Sequence, residues 1–200
     1  FEGHSHYDKY MDAYPEQKKA FYPMVTKKGQ NIASKGVTGA TQVWPMDIPR
    51  DIYHTEWVAN RTKNWLETQS EVKPWFCWMS FPDPHHPWDI PAAELHRINW
   101  KDLPLPRLYS ENRSQLESWL DEKPAHWRGY FEGSLWTNLE SPREFIPANM
   151  TADQVREINA MTHIENELID EAVGDVINFL QSKQWLKNTD IFFTTDHGEL

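Results

Sequence analysis

Apolar residues recur at three- and four-residue steps in two parts of the chain, and this spacing predicts two amphipathic helices. The first covers about residues 52–69. The second is preceded by Thr151, with Gln154 three residues later, which is the pattern of a capping box. Its apolar stripe continues to about Ser182. The second segment is therefore predicted to be one long helix that begins at a defined cap.

Two short apolar runs have a different pattern, and they predict buried strands. Residues 75–81 read WFCWMSF, and residues 190–195 read DIFFTT. Their short length and their aromatic and β-branched content favour strands over helices. Because the long helix lies between them in sequence, the two strands are expected to be parallel neighbours in the sheet of an α/β domain.

Residues 82–147 contain nine of the 14 prolines of the chain and have no sustained period. Proline removes a backbone donor and interrupts helices and strands, so this stretch is predicted to be an irregular excursion rather than one regular element. It lies within a single domain that covers residues 1–200. For most of the stretch, a surface insertion without chemistry is the simpler interpretation.

Polar side chains follow both predicted strands. Asp83, His85 and His86 come after the first, and Asp196 and His197 come after the second. Ligands of open α/β sheets bind beyond the carboxyl ends of the strands, so both segments are expected at one edge of the sheet. Carboxylate and imidazole groups suit Ca²⁺, Mn²⁺ or Zn²⁺, and a histidine beside an anionic ester can donate a hydrogen bond or a proton. The alternative for each segment is a polar turn that binds nothing.

The other candidate side chains have simpler interpretations. Cys77 is the single cysteine, which excludes an internal disulfide and a cysteine-rich zinc site. Its apolar neighbours predict an unreactive buried thiol. The remaining histidines are expected to be packed or surface residues: His4, His6, His54, His96, His126 and His163.

Composition narrows the range of partners. The formal net charge of −10 and the lack of clustered Lys and Arg argue against a nucleic-acid-binding surface. The chain has no run of about 18 apolar residues, so no membrane-spanning helix is expected. Two strands with large apolar faces would be marginally stable alone. Further strands or a second copy of the chain are expected to cover these faces, so a homo-oligomer is one expectation. The compartment is left open.

Three segments resemble motifs of the sulfatase family, within the alkaline-phosphatase-like superfamily, and they occur in the family's order. Residues 80–87 read SFPDPHHP, residues 169–174 read IDEAVG, and residues 192–199 read FFTTDHGE. The resemblance extends over most of residues 50–200. It implies a three-layer α/β/α domain with a mostly parallel sheet. It also implies hydrolysis of small anionic sulfate esters with the help of a divalent metal ion.

The resemblance also implies roles for individual residues. Asp196 is expected to ligate the metal ion, Ca²⁺ in the first place and Mn²⁺ as the alternative, with His197 beside it as a ligand or a contact to the substrate anion. His85 matches the histidine of the family's Pro-His-x-Pro segment that contacts the sulfate and the leaving-group oxygen. Asp170 and Gly174 match a helix signature that is expected to serve packing.

The chain departs from the family pattern where the nucleophile should be. Sulfatases oxidise the cysteine of a Cys-x-Pro-Ser-Arg segment to formylglycine, and residues 77–81 read CWMSF instead. The family's paired Asp residues, its Gly-Lys-x-His segment and the lysine beyond Asp-His-Gly are also unmatched. We therefore expect a truncated sulfatase-type catalytic domain, without the N-terminal nucleophile segment and the C-terminal part, that is inactive by itself. A phosphonate monoester or phosphodiester hydrolase, and a non-catalytic binding homologue, stay open as alternatives.

Overall fold

A computed structural model of the protein describes residues 6–19, 36–70, 72–135 and 144–198. The α-helices with defined bounds are α1 (His6–Met11), α2 (His54–Glu67), α3 (Arg113–Asp121), α4 (Ala125–Phe131) and α5 (Ala152–Ser182). Short 3₁₀ helices lie between them, at Arg50–Ile52, Ala92–Arg97, Trp100–Asp102, Pro147–Asn149 and Leu186–Asn188. The two long amphipathic helices predicted from the periodicity are confirmed as α2 and α5.

Helix α5 begins at the predicted cap. The Thr151 hydroxyl accepts the Gln154 backbone N–H at 3.3 Å, and the Gln154 side chain accepts the Thr151 backbone N–H at 2.9 Å. Two backbone donors that have no partner inside the helix are thereby satisfied. The helix has 31 residues and is therefore about 46 Å long. It packs against α2 and against the 3₁₀ helices at Ala92–Arg97, Trp100–Asp102 and Leu186–Asn188.

One face of α5 forms two apolar cores in succession. Its first half contributes Met161, Ile164 and Leu168 to a cluster that also contains Tyr53 and Trp88. Its second half packs against α2 in a cluster of buried residues consisting of Ala59, Leu66, Ala172, Val176 and Leu180. Both clusters follow the three- and four-residue spacing that predicted the helix. In the part of the chain that the structure describes, no helix is long and apolar enough to cross a membrane.

The segment that precedes α2 is attached to α5 through Glu157. The buried Glu157 carboxylate accepts the backbone N–H of Val37 at 2.7 Å and of Thr38 at 3.0 Å, and it also accepts the Thr38 hydroxyl. A Cβ at Gly36 would lie 2.3 Å from this carboxylate, so a larger residue at position 36 would displace the carboxylate. The contact fixes residues 36–40 against the first core cluster.

Residues 42–46 run parallel to residues 88–92 through two isolated bridges. The Trp88 backbone N–H donates to the Gln42 carbonyl oxygen at 2.9 Å, and the Trp44 N–H donates to the Trp88 carbonyl oxygen at 2.7 Å. This pairing was not predicted, because residues 42–46 have no strand pattern. It holds the chain in place directly after the histidine-containing segment.

The prediction of a buried strand over residues 75–81 is wrong for one of its faces. The run is extended and alternates as a strand does: Trp75, Met79 and Phe81 pack against the second core cluster. Phe76 and Trp78 point the other way and are 80% and 74% exposed. No partner strand is paired with this run among the described residues. Helices therefore cover one face, and nothing in those residues covers the other.

The second apolar run, residues 190–195, also forms no strand in the described structure. Ile191, Phe192 and Phe193 are exposed, Phe192 to 89%. The predicted parallel pair is thus not formed, and the mostly parallel sheet of the expected three-layer domain is not seen in residues 6–19, 36–70, 72–135 and 144–198. The physical reason is that strand propensity needs a hydrogen-bonding neighbour before it produces a sheet.

The proline-rich stretch 82–147 is more regular than predicted. Its described part contains α3, α4 and short 3₁₀ helices, while residues 136–143 lie outside the described residues. Arg128 of α4 binds Glu117 and, at 2.8 Å, Asp121, both on α3. The two helices are only nine and seven residues long, so they fit between the prolines that interrupt longer elements.

The predicted packing role of Asp170 and Gly174 is not supported. Asp170 is exposed, and no heavy atom lies within 4 Å of the position that a Cβ at Gly174 would take. Their neighbour Glu171 makes the contacts instead, with Arg97 at 2.7 Å and Arg50 at 2.5 Å. Its hydrogen bonds with these arginines, Arg97 first, lower the pKa of Glu171.

Candidate functional site

A buried cluster of one imidazole and two carboxylates lies where α2 begins. His54 is the first residue of the helix, and its Nε2 lies 3.4 Å from Asp83 Oδ1 and 3.4 Å from Asp89 Oδ1. All three side chains are buried. Because they are removed from water, the charge of each must be balanced by the others. The cluster joins residues that are about 30 positions apart in sequence.

Two hydroxyl groups complete this cluster. The Tyr53 hydroxyl donates to Asp83 Oδ2 at 2.9 Å and lies 3.5 Å from Asp89 Oδ1. The Thr55 hydroxyl donates to the same Asp83 oxygen at 2.8 Å. Tyr53 has an extended backbone and His54 starts the helix, so the turn into α2 directs three consecutive side chains at the same carboxylates. We refer to Tyr53, His54, Thr55, Asp83 and Asp89 as the polar cluster.

Burial and mutual charge shift the proton equilibria of the polar cluster. Burial is the main cause that raises the pKa of Asp83, and the His54 imidazole opposes it. Burial lowers the pKa of His54, but Asp83 and Asp89 together raise it more, so the net shift is upward. Burial and the same two carboxylates raise the pKa of Tyr53 well above its ordinary value. The cluster therefore retains protons, and Tyr53 acts as a hydrogen-bond donor.

The segment between Asp83 and Asp89 is a loop that carries two histidines. His85 is exposed and His86 is half-buried. The His85 backbone N–H donates to the Pro82 carbonyl oxygen at 3.2 Å, and its ring Nδ1 lies 2.5 Å from the His86 carbonyl oxygen. The two imidazole rings lie side by side, with their centroids 4.2 Å apart. His85 is thus located at the surface with a defined ring orientation.

The second candidate segment, Asp196 and His197, is exposed to solvent. The His197 backbone N–H donates to Asp196 Oδ1 at 2.9 Å, and His197 Nε2 lies 3.6 Å from Asp196 Oδ2. The hydrogen bond from the His197 backbone, followed by the His197 imidazole, lowers the pKa of Asp196. Glu199, the last residue of the matching motif, lies outside the described residues.

The donor types at Asp196 and His197 fit a divalent cation, because a carboxylate oxygen and an imidazole nitrogen are ordinary metal ligands. These two side chains supply only part of the six to eight ligands that Ca²⁺ takes. The polar cluster is the other arrangement with such donors in the described ranges, since ligand atoms of His54, Asp83 and Asp89 lie within 4.8 Å of one another. Its carboxylates already accept hydroxyl and imidazole hydrogen bonds, which makes it a hydrogen-bonded network.

The sheet that would align the segments of His85 and Asp196 is not formed among the described residues. Their shared location therefore stays a prediction. His54 was expected to be an ordinary packed or surface residue, but it forms part of the polar cluster. Asp89, another member of that cluster, was not predicted from the sequence to be a site residue. The signal available was a carboxylate at each end of the histidine segment, Asp83 before it and Asp89 after it.

The expectations for the other histidines and for the cysteine are largely confirmed. His4 lies outside the described residues, and the histidines exposed on the surface are His6, His96, His126 and His163. Cys77 is half-buried rather than fully buried. Burial raises the pKa of its thiol, which keeps the group protonated and unreactive.

Comparison with known proteins identifies the family. The family model described as Sulfatase matches residues 3–200, and the chain therefore belongs to the sulfatase family. This confirms the resemblance found in the three motifs. Membership implies the alkaline-phosphatase-like α/β fold, although the sheet itself is not seen in the described residues.

Several curated relatives are similar to this chain at low identity. An arylsulfatase of Clostridium perfringens (strain 13 / Type A) is 24% identical over 178 residues, which cover 87% of this chain and 33% of that protein. The uncharacterised sulfatase YidJ of Escherichia coli (strain K12) is 24% identical over 177 residues, 88% of this chain and 31% of YidJ. An arylsulfatase of Klebsiella aerogenes is 22% identical over 187 residues, which cover 90% of this chain and 34% of that protein. The chain spans about a third of the length of these relatives.

Proposed function

We propose that this chain is the central part of a metal-dependent sulfatase that hydrolyses sulfate esters, and that the 200 residues alone have no turnover. The observation that carries the proposal is the family match over residues 3–200. Two of the similar proteins are named arylsulfatases, which supports an aryl sulfate as the first substrate to test. The nucleophile, a formylglycine, would come from residues outside these 200.

In this proposal His85 contacts the sulfate group and protonates the departing oxygen. Its exposed position in a loop supports the role, since a substrate can reach the ring. Nδ1 lies 2.5 Å from the His86 carbonyl oxygen, which can only accept, so Nδ1 carries a proton. Proton exchange with a substrate would then take place at Nε2. A histidine oriented through one ring nitrogen and reactive through the other is a common form of general acid.

Asp196 and His197 would hold the divalent cation, Ca²⁺ in the first place and Mn²⁺ as the alternative. When bound, such an ion offsets the negative charge of the sulfate group. The lowered pKa of Asp196 supports its part, because the carboxylate needs no deprotonation before it binds a cation. With two ligands, the 200 residues are expected to bind Ca²⁺ and Mn²⁺ weakly in calorimetry. Sub-micromolar affinity would contradict this ligand assignment.

The test is hydrolysis of a chromogenic aryl sulfate by the longer protein that contains this chain, compared with its His85→Ala and Asp196→Ala variants. Loss of a general acid is expected to lower the rate by about 10²- to 10⁴-fold. His96→Ala and Asp170→Ala are matched controls, since both residues are exposed and lie outside the proposed site.

Each outcome of this assay has a defined meaning. Activity that survives in either His85→Ala or Asp196→Ala shows that the corresponding role is wrong. If the wild-type protein does not hydrolyse aryl sulfates but hydrolyses phosphonate esters, its substrates are phosphonate esters and not sulfate esters. Hydrolysis of neither class would support a non-catalytic homologue.

A further inference from the structure

We propose that His54 positions the loop that carries His85, by holding both ends of that loop at one buried imidazole through Asp83 and Asp89. The inference rests on the proposed function, because it assigns a role toward His85. It makes His54 and its two carboxylate partners positioning residues, which act through the loop and not on the substrate.

The geometry of the two anchors is the first argument. Asp83 directly precedes residues 84–88 and Asp89 directly follows them, and one Oδ1 of each lies 3.4 Å from His54 Nε2. Two carboxylates held at a single nitrogen bring the ends of the loop together. Bringing chain ends together costs conformational entropy, and these contacts offset that cost in the folded state. Without them, the base of the loop would lose the imidazole that contacts both of its ends, and only the Tyr53 hydroxyl would still reach both carboxylates.

The second argument is that both anchors are themselves fixed. Asp83 accepts the hydroxyls of Tyr53 and Thr55 at 2.9 and 2.8 Å. On the other side, the Trp88 backbone N–H donates to the Gln42 carbonyl oxygen at 2.9 Å. The carboxylates are buried, so water does not compete for them and their contacts are stronger than on the surface.

The third argument is that the loop transmits the position of its ends to the His85 ring. Prolines 84 and 87 restrict backbone rotation on either side of the two histidines. The His86 ring packs against the aromatic rings of Trp88 and Phe145, with centroids 6.0 and 6.3 Å away. The His86 carbonyl in turn binds the His85 ring. Few rotations are left, so a shift at Asp83 or Asp89 is expected to move the His85 imidazole.

The first experiment requires no substrate and uses the 200-residue chain. Ring ¹⁵N resonances of the histidines are measured in the wild type and in His54→Asn, with His96→Asn as the control for loss of an exposed imidazole. We expect the two ring nitrogens of His85 to differ clearly in the wild type, as in one fixed tautomer, and to converge in His54→Asn. Unchanged His85 resonances in His54→Asn would overturn the inference.

Local release of the loop must be separated from unfolding of the region. The Ala92 amide is an internal reporter, because its 2.7 Å hydrogen bond to the Met46 carbonyl oxygen lies outside the loop. It is expected to stay protected from hydrogen exchange in His54→Asn. If that protection is lost, the pair Thr55→Val and Thr55→Ser decides. Valine matches threonine in shape without a hydroxyl, so the His85 resonances should shift in Thr55→Val and return in Thr55→Ser; no shift in Thr55→Val overturns the inference.

The second experiment measures aryl sulfate hydrolysis by the longer protein. A misplaced group can cost on the order of 10²-fold in rate, so we expect kcat to fall by about 10- to 100-fold in His54→Asn, with little change in KM. Thr55→Ser should retain more activity than Thr55→Val. An unchanged kcat in His54→Asn overturns the inference. If the wild type does not act on aryl sulfates, the proposed function fails while the ring resonances still decide whether His54 positions the loop.

Discussion

The hydroxyl of Tyr53 offers a direct measure of how much the polar cluster contributes to stability. The substitution Tyr53→Phe removes this one group from a fully buried side chain and keeps the ring in the core. It deletes the 2.9 Å hydrogen bond to Asp83 Oδ2 and the 3.5 Å contact with Asp89 Oδ1. Hydrogen bonds to charged groups contribute about 1.5–3 kcal/mol. Because Thr55 still donates to Asp83, we expect a loss of about 2 kcal/mol, in the lower half of that range.

Urea unfolding followed by tryptophan fluorescence and circular dichroism measures this loss. The matched control is Tyr10→Phe, which removes a hydroxyl that lies 3.4 Å from the Tyr14 hydroxyl at a partly buried position. That contact is long and neutral, so its loss should cost less than about 0.5 kcal/mol. In thermal unfolding, a loss of about 2 kcal/mol corresponds to a Tm lower by about 4–8 °C for a chain of this size.

A Tyr53→Phe protein that is as stable as Tyr10→Phe would refute the reasoning. It would mean that the Asp83 carboxylate does not need the second hydroxyl donor, either because it is protonated in the folded state or because water replaces the donor. A loss much larger than about 3 kcal/mol would also disagree, since it would indicate that the ring had repacked and that the change was not confined to one hydrogen bond.

Further predictions concern the core, the helix cap and the pH dependence of stability. Leu168 is completely buried, so Leu168→Ala should lower the free energy of unfolding by about 2–5 kcal/mol in urea titrations. Thr151→Ala should cost about 1 kcal/mol, because α5 loses its cap, and should reduce helix content by circular dichroism only slightly. Burial lowers the pKa of His54, yet Asp83 and Asp89 raise it more. The stabilising contribution of protonated His54 is therefore complete below its unfolded pKa of about 6.5 and is lost as the pH rises through the higher folded pKa. The free energy of unfolding is measured for the wild type and for His54→Asn between acid and alkaline pH. The difference in favour of the wild type should be largest at acid pH and should shrink as the pH rises. A difference that does not change with pH would contradict this prediction.

Local sequence pattern predicted the two main helices correctly. The cap at Thr151 and the apolar stripe through Leu168 are patterns of residues three or four positions apart, so they can be recognised without knowing which distant segments pack against the helix. The same kind of reasoning predicted two strands and was incomplete. Residues 75–81 show the alternation of a strand, but a strand depends on a neighbouring strand, which can lie far away in sequence.

The motifs around His85 and Asp196 were sufficient for the family, which the match over residues 3–200 confirms. They did not reveal the polar cluster. His54 has no distinctive neighbours in sequence, and Asp89 lies after a proline-rich turn with no ligand-type spacing. Carboxylates flank the histidine segment, but their contact with His54 becomes evident only when the start of α2 and the residues after the loop are placed side by side.

The sequence by itself determined the helices, the start of α5 and the family of the chain, because each depends on residues close together or on motifs read in order. Only the tertiary structure decided that His54 meets Asp83 and Asp89, and that Phe76 and Trp78 are exposed. Burial and contact are set by which distant segments pack together. The charge on a buried group and the environment of an apolar one follow from that packing, and neither is encoded in the local pattern.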